Sequence, residues 1–135
     1  MRTIDEMLTD LVEQTAPSLL ELYGVGTDTA ASLLVAAGDN PGRLHSEGSW
    51  AHLCGATPLP ANSGKVTTRF RLNRGGDRQA NAALHRIVLT RMASDPDTRR
   101  YVARRRAEGL NTAEIMRCLK RYVARQTFKH LMQTA

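Results

Sequence analysis

Cysteine is scarce. Only Cys54 and Cys118 occur, far apart and with no CxxC pair, which excludes a disulfide framework or a zinc motif built on paired cysteines. Both are expected as reduced core residues. The four histidines, His45, His52, His85 and His130, have no ligand-like spacing and read as packing or surface groups, so no metal site is expected within the chain. Long apolar runs are also missing. None approaches the ~18 residues of a membrane span. The acidic start MRTIDEMLTDLVEQ is neither a basic signal-peptide region nor an Arg/Ser-rich transit peptide. A cytoplasmic chain with no membrane partner is the expectation. There is no internal repeat and no low-complexity segment, and 135 residues with 41% apolar content suit one domain with its own core.

Basic charge is nearly absent from the first half and concentrated in the second. Residues 1–62 carry two bases against eight acids, whereas residues 63–135 carry 17 bases against five acids. Most of those bases are arginine, whose planar fork grips phosphate in two places, and a field of this sign attracts a polyanion. The same excess also suits a merely solvated basic surface in a genome that favours arginine codons.

Helical periodicity dominates the chain. Ile4, Met7, Leu8, Leu11 and Val12 predict a helix over about 3–15, closed by Pro17. Leu19, Leu20 and Leu22 then lead through Gly24-Val25-Gly26 into a second helix marked by Ala30, Leu33, Leu34 and Ala37 and ending at Gly38. Thr27 or Asp28 is placed to cap it. This helix–turn–helix over about 18–38 resembles the helix-hairpin-helix motif, in which turn N–H groups sit against a DNA phosphate; Gly24 and Gly26 are its candidate contacts. A plain αα-corner packed in the core fits the same residues, and Asp28 and Asp39 put acid beside the turn.

A short helix from Ser46 or Glu47 to Cys54 is followed by Gly55, Pro58 and Pro60, which point to a loop. In SGKVTTRFRLNRGGDRQ, Val66, Thr68, Phe70 and Leu72 alternate with Lys65, Thr67, Arg69, Arg71 and Asn73, the period of a half-exposed ribbon over about 65–74. Arg74 and Arg78 extend its basic face. Asp77 then caps a helix to about residue 93, and the Asp95-Pro96-Asp97 run starts another that carries Arg99, Arg100, Arg104, Arg105 and Arg106 and stops at Gly109. That arginine helix is a phosphate-facing candidate. The last helix runs from Thr112 to Met132 with Asn111 or Thr112 as cap. Ile115, Cys118, Leu119, Tyr122 and Val123 share one arc, whereas Phe128, Leu131 and Met132 point to the other side. Either the helix bends late or its end docks on a partner.

The blocks L-Y-G-V-G-T-D-T-A, G-D-N-P-G-R, A-H-L-C-G-A-T-P, N-S-G-K, R-L-N-R-G-G-D-R-Q-A-N-A-A-L and C-L-K-R-Y-V-A-R occur in this order. In that order they resemble the C-terminal transposase domain of the DEDD insertion-sequence transposases, the bridge-RNA-guided recombinases related to pilin-gene DNA invertases. The resemblance covers about residues 4–132. It implies that Ser63 is the nucleophile that attacks a DNA phosphodiester, with Gly64 permitting close approach and Lys65, Arg69, Arg71, Arg74 and Arg78 supplying charge. Asn62 stands where relatives often have Ser or Gln.

The resemblance also implies an N-terminal RuvC-like domain whose four acids bind Mg²⁺. These 135 residues have no counterpart to it, so Mg²⁺ is expected from that missing domain and no cofactor from this chain. The implied partners are DNA, a guide RNA, and a homo-oligomer or full-length transposase. The expected architecture is a single, mainly α domain: the hairpin motif, a serine loop with basic ribbon over 56–76, and a basic helical part over 77–135. Three roles remain open: the serine-bearing part of a transposase, truncated or partial; a non-catalytic DNA- or RNA-binding module with Ser63 idle; and an assembly partner of full-length transposase.

Overall fold

Thr3 and Glu6 open the first helix reciprocally. The Thr3 hydroxyl accepts from the Glu6 N–H at 3.1 Å, and the Glu6 carboxylate accepts from the Thr3 N–H at 3.2 Å. The computed structural model describes residues 2–56 and 76–133. Its helices are α1 (Ile4–Thr15), α2 (Thr27–Asp39), α3 (Glu47–Leu53), α4 (Arg78–Ser94), α5 (Pro96–Ala107) and α6 (Thr112–Met132), with 3-10 turns at Pro17–Glu21 and Pro41–Leu44. No strand occurs among the described residues. The mainly helical class expected from periodicity is what the protein has. The ribbon expected at 65–74 lies outside the described residues, as do Ser63, Gly64, Lys65, Arg69, Arg71 and Arg74.

The centre of the fold is the pairing of α2 with α4. On α4, Ala80, Ala83, Leu84, Ile87, Val88 and Arg91 form one buried stripe at the spacing of an amphipathic helix. On α2 the facing positions are small: Ala30, Ala31, Ala36 and Ala37 are buried around Leu33, which lets the two backbones come close. The first helix lies on α2, and α6 packs on α4, α3 and α5. Trp50 of α3 is wholly buried, and its indole N–H donates to the Thr127 hydroxyl of α6 at 3.2 Å.

Four expectations change. Leu19 and Leu20 lie in a five-residue 3-10 turn, Pro17–Glu21, with Leu22 extended behind it, rather than in the α-helical first arm of a hairpin. The cap of α2 is Gly26, not Thr27 or Asp28: the Thr29 hydroxyl reaches back to the Gly26 N–H at 3.0 Å. Cys54 is buried as expected, but Cys118 is exposed. On α6, Ile115, Leu119, Val123, Thr127 and Leu131 are all buried. Residues four apart advance by about 40° around a helix, so this row winds slowly and meets a different neighbour at each turn. The chain itself buries Leu131 together with the first-arc residues Ile115, Leu119 and Val123, whereas Cys118 and Tyr122 on that arc and Met132 on the other stay exposed.

Candidate nucleic-acid interface

The termini of α3 and α4 are bonded together. Helix α3 ends in a Schellman motif: Gly55, at φ +73°, donates its N–H to the His52 carbonyl at 3.0 Å, and Ala56 donates to the Ala51 carbonyl at 2.8 Å. At the start of α4, Asp77 accepts from the Ala80 N–H at 2.8 Å, as its capping position predicts. The Asp77 N–H donates to the Leu53 carbonyl at 2.8 Å, and the Asn81 amide donates to the Cys54 carbonyl at 3.0 Å. Ala56 and Gly76, which flank residues 57–75, thus adjoin one pair of joined helix ends. Arg78 is exposed on the first turn of α4, at this junction.

A cleft of about 360 Å³ adjoins the same place, lined by Gly55, Ala56, Leu110, Glu114, Arg117, Cys118, Lys120 and Arg121. Burial lowers the Lys120 pKa from its ordinary value. Arg117, Lys120 and Arg121 were not singled out in the sequence. The signal available was the C-L-K-R block, which holds Cys118, Lys120 and Arg121 together.

The arginine helix α5 is less available than its composition suggests. Arg99, Arg100 and Arg104 are exposed, and Arg105 is half-buried. Asp97 pairs with Arg100, and Glu108 lies 4.0 Å from Arg104 and 3.5 Å from Arg105. The guanidinium carbons of Arg104 and Arg105 also sit 5.4 and 5.7 Å from the Tyr101 ring centre. Asp95 occupies the capping position of α5 but accepts from the Thr98 hydroxyl, at 2.7 Å, rather than from the backbone.

The turn before α2 borders a second cleft, of about 610 Å³, lined by Gly24, Gly26, Thr27, Asp28, Thr29, Arg86, Asp5 and their neighbours. Gly24 has φ +82°, and a Cβ there would stand 3.2 Å from the Ile87 carbonyl, so this glycine is required by packing against α4. Nothing lies within 4 Å of a Cβ built on Gly26. Sequence reasoning missed what holds the turn: the buried Arg91 side chain donates through Nε to the Tyr23 carbonyl at 2.7 Å. Burial lowers the Arg91 pKa, and Asp95 acts against that. The Tyr23 and Ser94 hydroxyls share a hydrogen bond of 2.7 Å.

The family model described as "Transposase IS116/IS110/IS902 family" matches residues 16–103, from the end of α1 into α5 and across Ser63. The chain belongs to this transposase family. Among relatives of the IS116/IS110/IS902 family, the "Insertion element IS110 uncharacterized 43.6 kDa protein" of Streptomyces coelicolor is 30% identical over 126 residues, covering 91% of this chain and 31% of that protein. The "Insertion element IS900 uncharacterized 42 kDa protein" of Mycobacterium paratuberculosis is 28% identical over 106 residues, 78% of this chain and 27% of that protein. The chain spans less than a third of either relative's length. No solved structure matches it.

A magnesium site would need several carboxylates in one place. Among the described residues no three metal-ligating side chains come together. Asp77 is engaged as a cap and Glu114 in a capping box, so these residues do not fit such a site.

Proposed function

We propose that this chain is the serine-bearing domain of an insertion-sequence transposase, binding DNA and using Ser63 to cleave and rejoin a strand. The observation that carries this reading is the family match across Ser63, on a stretch whose flanks, Ala56 and Gly76, meet at one bonded pair of helix ends. In the reaction the Ser63 oxygen attacks phosphorus, giving up its proton. The bond from phosphorus to one deoxyribose oxygen breaks, and that oxygen leaves with a proton. The serine phosphodiester keeps the bond energy for rejoining by a strand hydroxyl. Lys65, Arg69, Arg71, Arg74 and Arg78 neutralise the phosphoryl oxygens as charge develops. The acids and Mg²⁺ come from a RuvC-like domain, with a guide RNA and an oligomer or full-length transposase as partners. At the turn before α2 the Gly26 N–H is already bonded to the Thr29 hydroxyl, so any additional phosphate contact there falls to Arg86.

A denaturing gel for covalent protein–DNA product tests this, with the chain alone and with a longer family transposase and its RNA. A product is expected that Ser63→Ala abolishes without loss of DNA affinity. A product that survives Ser63→Ala contradicts the nucleophile. Salt-sensitive binding with no product in either setting leaves the non-catalytic binding module as the better reading.

A further inference from the structure

We propose that Arg117, Lys120 and Arg121 of α6, together with the backbone at Gly55 and Ala56, form a phosphate-binding cleft that seats the DNA strand beside the root of the serine-bearing segment. This rests on the DNA reading above and adds to it a site on α6, beyond the residues 16–103 that the family model matches.

Charge accounting favours α6 over the more arginine-rich α5. On α5, Arg100, Arg104 and Arg105 are partly neutralised by Asp97 and Glu108 on the same helix, Tyr101 holds two of them, and the two arginines without an ion pair among the described residues, Arg99 and Arg106, stand two turns apart rather than clustered. On α6, the three bases stand at spacings of three and four, hence on one face. None of them forms an ion pair among the described residues. The carboxylate in the cleft, Glu114, is committed to the helix terminus: its Oε1 accepts from the Asn111 N–H at 2.9 Å. Three like charges on one face repel one another, and Lys120 is also partly withdrawn from water. A phosphate relieves both conditions, because it neutralises the face and restores the favourable state of the ammonium.

The cleft at the turn before α2 is a poorer anion site. Asp5 and Asp28 line it with Arg86, and the Gly26 N–H is already taken by Thr29. Position selects DNA over RNA for the α6 cleft. Ser63 lies seven residues beyond Ala56, so at ~3.6 Å per residue it stays within ~25 Å of the cleft. A strand crossing the cleft therefore stays within a few nucleotides of the proposed nucleophile.

The test is binding of the full chain to a fluorescent DNA duplex, and to an RNA duplex of the same length, between 50 and 200 mM salt, roughly the range over which phosphate contacts are read. The triple variant Arg117→Gln, Lys120→Gln, Arg121→Gln is compared with Arg99→Gln, Arg100→Gln, Arg104→Gln. The α6 triple is expected to lower the log–log salt slope for DNA by about two to three, at ~0.9 per phosphate, and the α5 triple by less than about one. On the unaltered chain, DNA is expected to slow maleimide labelling of the exposed Cys118 severalfold, which decides the matter even if the triple variant fails to fold. Unchanged slope in a folded α6 triple, or undiminished Cys118 labelling on saturated DNA, overturns the proposal while leaving the DNA reading intact. A slope change seen with RNA alone overturns it in favour of an RNA site. Failure of the unaltered chain to bind any nucleic acid overturns both.

Discussion

Gly24 illustrates how one residue can answer two questions differently. Its place in a Gly-Val-Gly turn suggests a backbone offered to phosphate, yet its positive φ and the Ile87 carbonyl show that packing already requires it. Gly24→Ala is therefore expected to cost about 1–3 kcal/mol in chemical denaturation, the order of a non-glycine residue held in the left-handed region. Cys54 carries a pH signature. Burial, with Asp77 adding to it, pushes its thiol well above the ordinary value of 9.0. The unfolded chain then loses this proton first, so its contribution is fully present below about pH 9 and declines as pH rises above it. Denaturation midpoints measured from pH 8 to 10.5 should fall less steeply for Cys54→Ala than for the unaltered chain. The caps Asp77 and Asn111 were legible because their partners lie three residues away. Arg91 was not, because its partner is a backbone carbonyl 68 residues distant and nothing local marks a buried arginine.

At the scale of elements, helix type and extent followed from spacing, while which face is buried often did not. The α4 stripe was legible because its buried positions, Ala80, Ala83, Leu84, Ile87, Val88 and Arg91, keep to one face along the whole helix. The α6 row was misjudged because its buried positions wind around the helix, and only the tertiary arrangement of α3, α4 and α5 says who covers each turn. Helix α1 shows the converse: its apolar spacing is regular, yet Ile4, Met7 and Leu11 are 72%, 50% and 46% exposed, and only Val12 is buried. Periodicity announces a helix without saying that the partner is present. The α3–α6 contact turns on a buried polar pair. Thr127→Val keeps the volume but strands the Trp50 N–H, and should cost about 1–3 kcal/mol. Asp77→Ala, which removes the cap of α4 at the junction with α3, should cost about 0.5–2 kcal/mol. Thermal or urea melts read both.

Across the whole molecule, the division of charge in the sequence becomes a division between helices. The acidic half supplies α1, α2 and α3, and the basic half supplies α4, α5 and α6, and the two halves are bonded to each other at the joined ends of α3 and α4. Composition pointed to a polyanion partner, and the ordered blocks made the family legible. Neither identified the bases of α6: the α5 pairs lie three and four residues apart and follow from helical spacing, whereas the cleft that gathers Arg117, Lys120 and Arg121 beside Gly55 exists only in the tertiary arrangement. Hydrogen exchange followed by mass spectrometry, on the full chain with and without a saturating DNA duplex, tests this arrangement directly. Slowed exchange at Gly55–Ala56, through 57–75 and along the Arg117–Arg121 turn of α6, with α1 unchanged, is the expected result. Protection confined to α1 and α2, or spread evenly over the chain, would contradict it.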